Sequence, residues 1–131
     1  MPKKILVVDD EPDFVRIVLA KLKSNGYEAI SAVNGKEGIK VTRLQNPDLI
    51  VMDIILPDMD GMDTARLLQA DVKTENIPII FISGAIVNMP ENAGTRQANF
   101  NGKILTAIAK PFKVEKLLFE INQLFKFNVH Q

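Results

Sequence analysis

Apolar positions in this chain follow two alternating rhythms. Short, nearly unbroken apolar runs stand at Ile5–Val8, Leu49–Met52, Ile79–Ile82 and Ile104–Ala109, and between them apolar residues recur every three or four positions. A continuous run with no polar alternation marks a strand buried on both faces, whereas the wider spacing marks one face of a helix. Tyr27–Val33 reads as a further short strand. Val15, Val18, Leu19 and Leu22 form a helical stripe, opened by Pro12 among acids that favour a helix N-terminus and stopped by Gly26. Asn34 can cap a second helix carrying Ile39, Val41 and Leu44, which ends near Asn46 because Pro47 follows. A loop over Leu56–Gly61 leads to a helix from about Met62 to Ala70. The last helix, Val114–Phe125, has Leu117, Leu118, Ile121, Leu124 and Phe125 as its apolar stripe. Gly84–Gly102, with Pro90 and Gly94, supports at most a short or irregular helix.

Buried strands alternating with helices predict an α/β domain with a parallel sheet covered on both faces. Five strands joined by right-handed crossovers suggest a doubly wound five-stranded parallel sheet, in the order 2-1-3-4-5 counted along the chain. In that order the first and third strands are neighbours where the winding reverses, and ligands bind outside the carboxyl ends of the strands at such a point. Polar residues follow the apolar strands directly: Asp9 and Asp10, Asp53, Ser83 and Lys110. The topology gathers all five at one rim.

The chain has 131 residues, 47% of them apolar and 24% charged, which fits one domain with a real core. Lys plus Arg and Asp plus Glu balance at 16 each, so nothing favours nucleic acid or an anionic membrane as a partner. There is no cysteine, which excludes disulfides, thiolate metal sites and cysteine nucleophiles. The apolar run at the N-terminus is too short for a signal peptide, and Ile77–Val87 is interrupted by Pro78, Ser83 and Gly84, so a cytoplasmic protein is expected.

Three carboxylates in one pocket cannot all stay ionised without compensation, so either a proton or a cation joins them. A hard divalent ion with oxygen ligands fits. Mg²⁺ takes one or more carboxylates, keeps several waters and leaves room for phosphate oxygens, and no His or Cys is present at the rim to favour zinc. A carboxylate, a Lys and a hydroxyl around such an ion meet the needs of phosphoryl transfer, with Asp53 as the nucleophile that becomes an aspartyl-phosphate. Mg²⁺, Lys110 and the Ser83 hydroxyl would each take one phosphoryl oxygen.

The stretches "ILVVDDEPD", "LIVMDIILPDMDG", "IIFISGA" and "AKPF" resemble, in order and spacing, the four signature segments of the response-regulator receiver domain. The resemblance spans essentially the whole chain. It implies a flavodoxin-like fold over residues 1–131, a single receiver domain with no fused output domain, and a phosphorylation-controlled switch of a two-component system. It also implies that Asp10 ligates Mg²⁺ directly, Asp9 mainly through water, and that Asp53 and the main-chain carbonyl of Ile55 complete the metal site. Asp53 would accept the phosphoryl group from a histidine kinase or phosphotransfer protein, Ser83 and Lys110 would assist, and output would pass to a downstream protein or an onward phosphorelay. The chain departs from the family where an aromatic residue commonly stands three positions before the Lys, here Ala107. It departs again in "GTRQANFNGKILT", and at Ile55, which is apolar where polar side chains are frequent.

Plainer readings stand beside these. Asp9 and Asp10 could be helix caps, Ser83 a strand-end hydrogen bonder and Lys110 a solvated lysine. Asp58, Asp60 and Asp63 read as loop and cap residues, Met52, Met59 and Met62 as packing, and His130 has no partner in view. Two other functions compete with the switch. One is a receiver-like docking module that works unphosphorylated. The other is a haloacid-dehalogenase-type Mg²⁺ phosphatase using "DMDGM", although Pro57 precedes that segment and Met62 replaces the usual Thr.

Overall fold

A computed structural model describes residues 2–83, 95–100, 103–109 and 112–128. The elements run β1 (Lys4–Val8), α1 (Pro12–Ser24), β2 (Glu28–Ala32), α2 (Gly35–Gln45), β3 (Leu49–Asp53), α3 (Gly61–Gln69), β4 (Ile79–Ser83), β5 (Thr95–Phe100), β6 (Lys103–Ala109) and α4 (Val114–Asn128). The sheet order is β2-β1-β3-β4-β6-β5. β1, β2, β3, β4 and β6 are mutually parallel, in the order expected for a doubly wound sheet.

The central strands β1, β3 and β4 have no polar alternation because each of their faces meets a helical layer. Ile5 and Val7 of β1, Leu49 and Val51 of β3, Ile80 and Ile82 of β4 and Ile108 of β6 form one core with Val18 and Leu22 of α1 and Leu117, Leu118 and Ile121 of α4. Leu6, Val8, Ile50, Met52, Ile79 and Phe81 point the other way and pack with Ala65 and Leu68 of α3. Successive strand side chains point to opposite faces, so an all-apolar strand stitches two cores together. At roughly 2–5 kcal/mol for each such residue truncated to Ala, these central strands dominate the stability.

Two elements depart from the sequence reading. α2 buries Gly35, Gly38 and Thr42, while Ile39 and Val41 are only partly covered and Leu44 is exposed. The helix lies so close to β1 that a Cβ on Gly38 would stand 3.1 Å from Val8 Cγ2. Close approach selects small residues, and an apolar count overlooks them. The second departure is β5, an added strand antiparallel to β6 at the sheet edge, in the stretch expected to hold at most an irregular helix. In the sequence Asn101-Gly102 stands between β5 and β6, and Asn-Gly between two strands is a strong hairpin signal. Elsewhere the boundaries moved little. α2 ends as expected before Pro47, with Asn46 in the left-handed region at φ 48°, and α4 runs past Phe125 to Asn128.

Candidate functional site

Register carries the acids together. Val8 pairs with Met52 across β1 and β3, so Asp9 and Asp10 leave β1 level with Asp53, the last residue of β3. One carboxylate oxygen from each of Asp9, Asp10 and Asp53 lies within 4.8 Å of the others. Asp9 is 1% and Asp53 5% exposed, whereas Asp10 is open to solvent. Two like charges at that separation repel by roughly 3 kcal/mol in a medium of effective dielectric about 20, before any desolvation of the buried pair. A cation or a proton at this edge would relieve that repulsion.

The two buried carboxylates are fixed by the same local device. Asp9 Oδ1 accepts the Glu11 N–H at 2.9 Å, and Asp53 Oδ1 accepts the Ile55 N–H at 3.1 Å, each two residues further along the chain. The simple capping reading of the acid pair is not what forms. Glu11 is the N-cap of α1, without a side-chain cap bond, and Pro12 takes the first helical position. The acids are aimed into the rim instead.

The loop after Asp53 closes on itself. The Gly61 N–H donates to the Ile54 carbonyl at 2.6 Å, Ile55 and Asp60 form an antiparallel bridge, and the Ile54 N–H reaches the Ile82 carbonyl of β4 at 3.0 Å. A Cβ on Gly61 would collide with the Asp53 carbonyl oxygen, so glycine lets the start of α3 press against the end of β3. Asp60 caps α3 through the Met62 N–H at 2.6 Å, and Asp63 pairs with Arg66 at 2.5 Å, as loop and cap residues should. The Ile55 side chain is 61% exposed beside the acids. A groove of about 550 Å³ starts at Asp9 and Asp10 and runs along α1 past Val15, Leu19, Ser31 and Val33.

Asp58 does more than a loop acid. Its Oδ1 accepts the Gly35 N–H at 2.7 Å and its Oδ2 the Lys36 N–H at 2.9 Å, at the start of α2. Partial desolvation pushes its pKa up, but the Lys36 and Gly35 N–H groups, with those of Asp58 and Met59, hold the carboxyl below the usual range. Both oxygens thus serve a helix end, and Asp58 does not directly follow a strand, so nothing supports the phosphatase alternative. No sequence signal marked this pairing, which spans 23 and 22 residues.

The other rim residues are placed less fully. Ser83 is the last residue of β4, its backbone in register with Ala109, while Asp53 pairs with Ile82. Lys110, directly after β6 in the chain, lies outside the described residues, as does His130. Ala107 is partly buried against the second core and pairs with the buried Phe81. No helix among the described residues is long and apolar enough to cross a membrane.

Comparison with known proteins agrees with this geometry. The response regulator receiver domain profile matches residues 5–122. Protein PilH of Pseudomonas aeruginosa is 32% identical over 119 residues, covering 91% of this chain and 94% of PilH. Among solved structures, the receiver domain of the sensor histidine kinase PA1611 from Pseudomonas aeruginosa PAO1, with a magnesium ion coordinated in its active site cleft, superposes with a TM-score of 0.76. It is 27% identical, and the match covers 94% of this chain and 97% of that one. Chemotaxis response regulator CheY4 of Vibrio cholerae has the same fold, with a TM-score of 0.79 at 24% identity over 94% of this chain and 98% of its own. The chain belongs to the response regulator receiver domain family, the phosphorylation-controlled switches of two-component signalling.

Proposed function

We propose that Asp53 is the phosphoacceptor of this receiver and that Asp9, Asp10, Asp53 and the main-chain carbonyl of Ile55 hold Mg²⁺. The observation that carries the reading is the carboxylate trio within 4.8 Å at the reversal point of the sheet, two of its members buried. The donor set fits the ion: hard oxygens at a water-accessible edge, with Asp10 open to solvent. When bound, Mg²⁺ supplies positive charge that offsets both the acids and the incoming phosphoryl oxygens.

The chain's own residues do the rest. The Ile55 N–H fixes the rotation of the Asp53 carboxylate and so aims it. A carboxylate oxygen attacks phosphorus of a phosphohistidine; the O–P bond forms, the P–N bond breaks, and the imidazole nitrogen leaves with the bonding pair and is protonated. The Ser83 hydroxyl and the Lys110 ammonium are assigned to the remaining phosphoryl oxygens, Ser83 as the end of the strand that pairs with β3 and Lys110 by its place in the sequence directly after β6. The donor is a histidine kinase or phosphotransfer protein, the reader of the switch a downstream protein, and the setting the cytoplasm. We further assign residues 1–131 to one receiver domain. Ala107 carries only a methyl group, so the output of this switch does not run through a swinging ring at that position.

The test is intact mass after incubation with acetyl phosphate, with a purified histidine kinase as second donor. Wild type is expected to gain one phosphoryl group only with Mg²⁺ present, and Asp53→Asn to gain none. A wild type that stays unlabelled by both donors, or an Asp53→Asn variant labelled like wild type, contradicts the assignment.

A further inference from the structure

A helix starts with four N–H groups that its own ladder cannot satisfy. In α2 these belong to Asn34, Gly35, Lys36 and Glu37: the cap meets the last, since Asn34 Oδ1 accepts Glu37 N–H at 2.8 Å, and the ladder begins with Gly38 N–H on the Asn34 carbonyl at 2.9 Å. Gly35 N–H and Lys36 N–H go to the two oxygens of Asp58. The loop that leaves the phosphoacceptor thus meets two of these N–H groups, and the local cap one. The same contact is tight sterically. A Cβ on Gly35 would collide with Met59 Cγ and stand 2.7 Å from Thr64 Oγ1, so loop and helix start are pressed together and any larger residue would force those side chains to move.

The loop is therefore held at both ends. Its base is tied by Gly61 N–H to Ile54, by Ile54 N–H to β4 and by the Ile55–Asp60 bridge, and its tip by Asp58 to α2. Ile55 sits between those anchors, with its N–H on Asp53. We infer that Asp58 is a positioning residue of the phosphoacceptor site, acting by docking the Asp53–Gly61 loop onto the start of α2 so that Ile55 keeps the Asp53 carboxylate and its own carbonyl in place. The inference rests on the proposed role of Asp53 and Ile55, but its first consequence is a property of the protein alone. With Asp58 gone, the tip of the loop has lost two charge-assisted hydrogen bonds and the start of α2 its partners for Gly35 and Lys36 N–H, while the buried strands beneath are untouched.

Residue-resolved amide exchange on wild type, Asp58→Ala and Asp58→Asn tests this, together with Mg²⁺ titration and acetyl phosphate labelling of the same samples. In Asp58→Ala, exchange at Gly35, Lys36 and Ile55 is expected to quicken roughly tenfold while Leu6 and Val51 keep their protection. The Mg²⁺ concentration for half-maximal labelling is expected to rise roughly tenfold, with the rate at saturating Mg²⁺ retained. Asp58→Asn keeps one carbonyl oxygen and should fall between the two, and it decides the matter if Asp58→Ala does not fold. Faster exchange at Gly35 and Lys36 with Ile55 and the Mg²⁺ dependence unchanged would reduce Asp58 to a helix cap and overturn the inference. If wild type itself takes no label, the role of Asp53 fails instead, and exchange at Ile55 still decides whether Asp58 holds the loop.

Discussion

Asp9 and Asp53 reach their positions by one short-range rule, a carboxylate turned back onto the N–H two residues ahead. The cost of the arrangement falls on Asp10, which brings a third charge to a pair already buried. Neutralising it should relieve repulsion in the metal-free protein. Asp10→Asn is expected to raise the unfolding free energy by about 1 kcal/mol without Mg²⁺. Adding Mg²⁺ should stabilise wild type by RT ln(1 + [Mg²⁺]/Kd), about 1.4 kcal/mol at ten times Kd, and the variant far less. Calorimetry with and without the ion checks both; a variant less stable than wild type in EDTA contradicts the repulsion argument. These acids were legible in the sequence because each stands directly after a buried strand. Asp58 was not, because its partners Gly35 and Lys36 are remote in the chain and are backbone groups that no residue type advertises.

The central strands β1, β3 and β4 were the easiest elements to read, since burial on both faces leaves no polar position to confuse the pattern. α2 was read less well for a physical reason. Its inner face carries Gly35, Gly38 and Thr42, chosen for closeness to β1 and to the Met59 loop rather than for apolar surface. Gly35→Ala separates two effects of opposite sign. Helix propensity alone favours Ala by up to about 1 kcal/mol, whereas overlap with Met59 and Thr64 costs about 1–3 kcal/mol. The overlap should win, lowering stability by roughly 1–2 kcal/mol in urea unfolding; an unchanged or higher midpoint would mean that the loop gives way at little cost. β5 stayed hidden because Thr95–Phe100 alternates too weakly to stand out as a strand, and only the Asn-Gly pair after it points to a hairpin.

At the scale of the whole molecule, winding direction is what turns scattered residues into a site. β1 and β3 lie side by side where the chain reverses, so residues far apart in sequence share one edge, above two cores that the same strands hold together. The fold order and the acid trio followed from strand ends and topology; the docking of the loop and the small-residue face of α2 depend on contacts between segments remote in sequence, and the edge hairpin on the pairing of β5 with β6. The central claim, that this edge exists to form an acyl phosphate at Asp53, has a direct chemical test. Protein incubated with acetyl phosphate and Mg²⁺ is reduced with borohydride, which converts an aspartyl-phosphate to homoserine, and the peptides are then sequenced by mass spectrometry. Homoserine at position 53, and at no other position, is the predicted result. Homoserine at position 58, or at 9 or 10 with 53 intact, would contradict the account.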